Sequence, residues 1–336
     1  MLVAFVCHPR YLAHDPGAGH PESPVRLRAV EEGMAVAGLD GELVRIAPRR
    51  ASAAEVERVH DPGYVVALER FCRSGGGRLD ADTVAGPASW EAALLAAGAG
   101  LAAIERLDAG AVDAAFCAVR PPGHHALEGR AMGFCLFNNV AVAAAALAER
   151  GERVLIADYD AHHGNGTQAT FYDDPRVAYV SVHQYPFYPG TGAVDETGDG
   201  PGAGTTVNVP VPVGTTGDVF RAAVDDLVVP LAEAFRPTWL LLSAGFDAHR
   251  ADPLTGLGLS SGDYADLTAA LVGLVPAGRR LVFLEGGYNL DALRASTAAT
   301  LVALAGGRLH PEAPTAGGPG RPAVAAAAEA HARATG

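Results

Sequence analysis

The chain has 336 residues, with 25 basic side chains against 38 acidic ones and a formal net charge of −13. A duplex binder needs a basic face to displace counterions, so this balance argues against nucleic acid as the main partner. With 49% hydrophobic and 19% charged residues the chain is too apolar for disorder and long enough for a large core, while no window approaches the roughly 18 uninterrupted apolar residues that cross a bilayer.

The first strand-like run, Leu2–Cys7, lacks the basic flank and length of a signal peptide, and the chain is read as cytoplasmic. A helical pattern at Pro24–Ala37 leads to a strand at Leu43–Ile46. Helices are predicted at Ser52–His60, opened by a Ser52/Glu55 capping box, and at Pro62–Ser74 and Pro87–Leu107. Then come a strand at Asp113–Val119, a helix at Asn138–Arg150, and strands at Arg153–Ala157, Val177–Val182 and Thr206–Pro210. The pattern closes with a helix at Asp218–Phe235, a strand at Thr238–Ser243, a helix at Ser260–Val275, a strand at Arg280–Leu284 and a helix at Leu290–Leu304. This alternation predicts an α/β fold, a single-domain open parallel sheet flanked by helices. No composition break marks a linker before residue 305, so residues 1–305 read as one domain. Residues 184–206, dense in Gly, Pro and aromatics, read as a long structured loop that shapes a site. Residues 306–336, rich in Ala, Gly and Pro, read as a peripheral tail, partly helical near Val324–Ala332. Cys7, Cys72, Cys117 and Cys135 are far apart and mostly sit in apolar runs, which suits reduced thiols rather than a disulfide framework.

In an open parallel sheet the ligand crevice lies beyond the carboxyl ends of the strands. Four strands are followed at once by polar clusters: Arg120-Pro-Pro-Gly-His124-His125, Asp158-Tyr-Asp160-Ala-His162-His163-Gly-Asn165, Ala-Gly-Phe-Asp247-Ala-His249, and Glu285-Gly-Gly-Tyr288. One such residue is ordinarily a helix cap or a core histidine; four coincident clusters point to a site. Asp160 and His162 leave one strand two residues apart, and Asp247 from a neighbour completes three ligands with an open fourth position, the pattern of a catalytic transition metal, most often zinc. One histidine of the His124–His125 pair suits proton transfer, with Asp158 and Asn165 as partners that fix the imidazole tautomers. Tyr288, held out by two glycines, is a neutral donor suited to an oxyanion. Metal, base and phenol together point to amide hydrolysis.

These residues, with His20-Pro-Glu-Ser-Pro, Arg26-Leu27, Gly133-Phe134, Asn138-Asn139, Pro189-Gly-Thr-Gly192 and Asp252-Pro253, resemble the histone deacetylase and acetylpolyamine amidohydrolase superfamily over residues 1–305. The resemblance implies the arginase-deacetylase fold, with 1–305 as the deacetylase domain. It implies one Zn²⁺ per chain on Asp160, His162 and Asp247, and His125 as general base and then acid. His124 becomes its electrostatic partner tied to Asp158, and Tyr288 polarises the acyl carbonyl. It further implies a channel walled by Phe134 and Tyr188, and a structural K⁺ near Asp158, Asp160, His162, Ser181 and Val182. Asn165, where class I deacetylases carry an Asp, points to the class II branch. Leu254 stands where polyamine specialists place a gatekeeper Glu, so acetyl-lysine is favoured over acetylpolyamine as the substrate.

Two other readings are weaker. A binuclear manganese ureohydrolase lacks carboxylates for a second metal, having Gly164 and Ala248-His249 at the relevant offsets. A silent acyl-lysine binder would have lost Tyr288, His125 or a ligand, and all are present. His163 is expected to pack or hydrogen-bond at the start of the next helix, His183 to support the buried surroundings of the site, and His249 to lie beside Asp247 or on the solvated surface. A homo-oligomer would narrow the channel mouth around residues 9–24 and 184–206.

Overall fold

The computed structural model describes residues 1–39 and 41–336. The strands are β1 (Val3–Val6), β2 (Leu43–Ile46), β3 (Gly77–Arg78), β4 (Val84–Ala85), β5 (Ala114–Cys117), β6 (Val154–Asp158), β7 (Val177–Gln184), β8 (Thr206–Val211), β9 (Trp239–Ala244) and β10 (Arg280–Leu284). Eight of them form one sheet in the order β2-β1-β5-β10-β9-β6-β7-β8, parallel throughout, and β3 and β4 pair as a minimal antiparallel hairpin. Runs such as Trp239-Leu-Leu-Leu are apolar without alternation because helices cover both faces of the sheet, and residues of β1, β5, β6 and β9 are buried on both. All eight predicted strands lie in this sheet. Its central four, β5, β10, β9 and β6, are the ones followed by the polar clusters, so the fold brings those clusters side by side at one edge.

The helices are α1 (Val25–Val36), α2 (Ala53–Val56), α3 (Pro62–Arg73), α4 (Ser89–Asp108), α5 (Asn139–Glu149), α6 (Asn165–Phe171), α7 (Gly217–Ala223), α8 (Val229–Phe235), α9 (Ser261–Val272), α10 (Leu290–Leu304) and α11 (Arg321–Thr335). One layer packs α4 against α5, and the other packs α1, α10 and α9 in succession. The helix predicted over 218–235 runs as α7, a π-helical turn at Val224–Val228, and α8. The helix predicted at Ser52–His60 keeps its capping box but ends at Val56. The chain turns there so that buried His60 accepts the Asn138 N–H at Nε2 (2.9 Å).

The expectation of a peripheral tail is corrected. α11 buries Val324, Ala327 and Ala330 and lies along the edge strand β8 and α7. Small side chains suffice because the helix sits close to what it covers, an arrangement that low apolar bulk conceals in the sequence.

Candidate metal centre and active site

Asp160 and His162 leave β6 and Asp247 leaves β9, two strands paired in register from Val154 with Trp239 to Asp158 with Ser243. This pairing brings one ligand atom of each within 4.8 Å of the other two. His162 Nδ1 lies 3.1 Å from Asp160 Oδ1 and 3.0 Å from Asp247 Oδ2. The carboxylates' outer oxygens are held by backbone: Asp160 Oδ2 accepts from Gly286 N (2.8 Å) and Asp247 Oδ1 from Ala161 N (2.9 Å). Gly245 and Gly286 are required here, since a Cβ on the first would overlap Asp160 and on the second Asp247.

Two fully buried carboxylates facing one imidazole make a site that draws in positive charge. Burial opposes protonation of His162, yet its bonds to Asp160 and Asp247 raise its pKa to about 10, while His124 and His162 hold Asp160 far below the usual carboxylate range despite burial. Burial and the neighbouring Asp160 charge push Asp247 up. A divalent cation between the three groups satisfies the same demand. Among the described residues this donor set fits a catalytic metal with an open position.

The two adjacent histidines after β5 have different partners. His124 Nδ1 lies 3.0 Å from Asp158 Oδ2, which also accepts from Tyr179 OH (3.1 Å), and His124 Nε2 lies 3.9 Å from Asp160 Oδ2. Burial is outweighed by Asp158, Asp160 and Glu285, and the His124 pKa rises to about 10. His125 Nδ1 lies 2.8 Å from Asn165 Oδ1, and the amide's Nδ2 donates to the His125 carbonyl (3.4 Å). An amide oxygen only accepts, so Nδ1 carries the proton and Nε2 presents a lone pair. Burial, with the positive charges of His124 and His162, drives the His125 pKa well below 6.5. The rings lie 4.0 Å apart, one holding charge and the other a free base.

A cavity of about 90 Å³ opens beside them, lined by His125, His162, Gly133, Phe134, Tyr188, Leu254, Tyr288 and Asp82. Tyr188 meets the His125 ring edge-on at 5.2 Å, and Phe134 meets Tyr288 edge-on at 5.8 Å. Burial pushes the Tyr288 phenol well above 10, so it stays a donor. Every residue expected at the site is in this assembly. His163 bonds Gln168 Oε1 (3.0 Å) and Thr191 Oγ1 (2.8 Å) outside the cavity, and His183 bonds Ser181 Oγ (2.9 Å) and the Gly192 carbonyl (3.0 Å). His249 is beside Asp247 and buried.

The histone deacetylase domain matches residues 20–304. The chain belongs to the histone deacetylase family. It is 38% identical over 313 residues to a probable deacetylase of Archaeoglobus fulgidus, covering 91% of this chain and 87% of that one. It is 43% identical over 303 residues to histone deacetylase 15 of Arabidopsis thaliana, covering 88% of this chain and 55% of that one. The crystal structure of the HDA15 HD domain superposes with a TM-score of 0.91 at 38% identity, covering 99% of this chain and 94% of that one. The deacetylase is thus a hydrolase of acylated amines on the arginase-deacetylase fold, and no described helix is long and apolar enough to cross a membrane.

Several residues that position the deacetylase site carry no role in the sequence reading, although some stand in its motifs. Arg26 donates to the Gly287 carbonyl (2.7 Å) and the Glu285 carbonyl (2.6 Å), and its guanidinium carbon sits 4.9 Å from the Tyr288 ring centroid. Arg26 and Arg120 share Glu22, all three buried, and Arg120 with Arg26 keeps Glu22 ionised against its burial. Glu285 accepts from Gly123 N (2.7 Å) and His124 N (3.2 Å), tying the histidine loop to the tyrosine turn. Asp252 accepts from Tyr288 N (2.7 Å) and Asn289 N (3.2 Å). Phe187 stacks on His162 at 5.3 Å. A charged residue at a strand end or turn was the available signal; its partner, a hundred or more residues away, was not.

Proposed function

We propose that this deacetylase is a zinc-dependent enzyme that removes acetyl groups from acetyl-lysine. The observation that carries the reading is the convergence on one cavity of three metal-ligating atoms, a histidine with a free Nε2 and a buried phenol. Asp160, His162 and Asp247 would hold the ion, which supplies Lewis acidity toward water and the acyl oxygen. His125 Nε2 takes a proton from the attacking water and returns it to the departing amine as the C–N bond breaks, releasing acetate. Tyr288 OH donates to the acyl oxygen as it gains charge. His124, paired with Asp158, keeps its positive charge beside His125 and holds it basic enough to act yet uncharged before the reaction. Phe134 and Tyr188 grip the alkyl stem. A K⁺ near Asp158, Asp160, His162, Ser181 and Val182 belongs to the same proposal, supported by the register that sets Asp158 opposite Ser181. Four free cysteines agree with a reducing, cytoplasmic setting.

Apolar Leu254 in the cavity wall favours a lysine stem. Asp82 in the same wall favours the second reading, an acetylated polyamine whose distal ammonium would meet that carboxylate. The deciding experiment assays the Zn²⁺-loaded protein on an acetyl-lysine peptide and on acetylated putrescine and spermidine, with Tyr288→Phe and His125→Ala as controls. Peptide turnover well above polyamine turnover supports the lysine reading and the reverse replaces it. Activity on none of them, with metal bound, overturns deacetylation of either substrate.

A further inference from the structure

The loop after β9 carries three separate parts of the site: Asp247 at the metal centre, Leu254 in the cavity wall, and Asp252, which holds the Tyr288 and Asn289 amides. A loop with such duties needs support, and part of it comes from within. Thr255 Oγ1 donates to the Asp247 carbonyl (2.5 Å), and Gly256 N donates to Gln184 Oε1 (2.7 Å).

The rest comes from beyond residue 304, where the matched domain ends. Glu312 is the centre of it. Its Oε2 receives His249 Nε2 (2.6 Å), Ser261 N (3.1 Å) and Ser261 Oγ (3.1 Å), and its Oε1 receives Arg250 Nη2 (2.5 Å). His249 is only 3% exposed, and its Nδ1 accepts from Ala251 N (3.1 Å). Nε2 therefore carries the proton and donates to Glu312, so a single imidazole bridges the turn after Asp247 to the segment after α10. Just beyond, Ser260 Oγ donates to the Ala313 carbonyl (2.8 Å), and Asp263 accepts from Thr315 N (3.0 Å) and Thr315 Oγ1 (2.7 Å). Gly262 has no room for a side chain because the Glu312 carbonyl lies against it. α11 then anchors the far end of the segment on β8 and α7.

We infer that residues 310–315 form a strap that positions the catalytic loop, with Glu312 as its positioning residue, so that the catalytic unit of this chain extends past the deacetylase domain. The inference rests on Asp247 being a metal ligand. Glu312 touches no reacting atom. It acts through His249, two residues from Asp247, and through Arg250, two residues before Asp252. A carboxylate taking four donors from three neighbouring residues fixes their relative positions more tightly than any one bond would, and displacement of a site by about 1 Å is enough to cost roughly 100-fold in rate.

The test compares Glu312→Ala, Glu312→Gln and Asp266→Asn in the full chain. Glu312→Gln keeps an acceptor for His249 and Ser261. Asp266→Asn disturbs the same segment through Arg308 and His310 without touching the loop. Zn²⁺ affinity is read by competition with a chromophoric chelator, and kcat and KM on the acetyl-lysine peptide. We expect Glu312→Ala to weaken Zn²⁺ binding about 10-fold and lower kcat about 10-fold or more with KM within about 2-fold. Glu312→Gln should recover most of both, and Asp266→Asn should match the wild type. The strap is overturned if Glu312→Ala binds Zn²⁺ like the wild type, or if Asp266→Asn loses as much as Glu312→Ala, since a segment that only adds stability would give that pattern. The metal titration needs no substrate: an inactive wild type that binds Zn²⁺ would overturn the deacetylase reading while the strap is still decided by affinity.

Discussion

His124 and His125 are adjacent in sequence, both buried, and 4.0 Å apart between ring centroids, yet they stand in opposite protonation states. The difference comes from what sits behind each ring. His124 backs onto the Asp158 carboxylate and faces Asp160 and Glu285 across the site, so it holds a second proton. His125 backs onto the neutral amide of Asn165, and the positive charge of His124 beside it makes a second proton more costly still. One limb is thus a fixed charge and the other a proton acceptor, and neither state is a property of histidine itself.

The comparison is broken most severely by removing the acceptor. His125→Ala should lower kcat by about 10²- to 10⁴-fold, the range for loss of a positioned proton-transfer group, with metal content unchanged by elemental analysis. Retention of activity within 10-fold would assign the proton transfer elsewhere. Asp158→Asn attacks the other limb. Without its carboxylate partner His124 no longer holds its charge firmly, His125 loses the neighbour that keeps it unprotonated, and kcat should fall about 10- to 100-fold in steady-state assays. A third effect is structural. Glu22→Gln leaves Arg26 and Arg120 buried with one carboxylate fewer than their charges require, and should lower unfolding free energy by about 3 kcal/mol in chemical denaturation.

Much of this arrangement was legible in the chain. The strands are continuous apolar runs and each central one ends in His, Asp, Glu or Tyr, so periodicity located the elements and strand ends located the chemistry. The assignment of Asp158 and Asn165 as partners of the two histidines needed only that they leave one strand beside the loop of another. What lay beyond reach was long-range pairing of charged residues. Arg26 reaches the Glu285–Tyr288 turn across more than 250 positions, and Glu312 reaches His249 across 63. No period or spacing encodes such pairs, because each is made by the packing of elements that are themselves unremarkable. The tail misled for a related reason: alanines that give little hydrophobic signal alone still bury well where two surfaces meet closely.

The mildest change is the most discriminating, because it alters only the group behind His125. Asn165→Asp sets a carboxylate where the amide oxygen lies 2.8 Å from Nδ1. In the wild type His125 stays unprotonated down to a pH well below 6.5, so kcat/KM should hold as pH falls through the neutral range and decline only when the pH drops below that depressed pKa. An adjacent negative charge favours the imidazolium and raises the pKa by about 1 to 3 units. The acid limb of the profile should then move to higher pH by that amount. At alkaline pH, where the base is unprotonated in both proteins, the two rates should converge to within a few-fold. A profile that keeps its acid limb in place while the whole curve drops would mean that the titrating group is not His125, and that the contrast between the two histidines does not set the reaction's pH dependence.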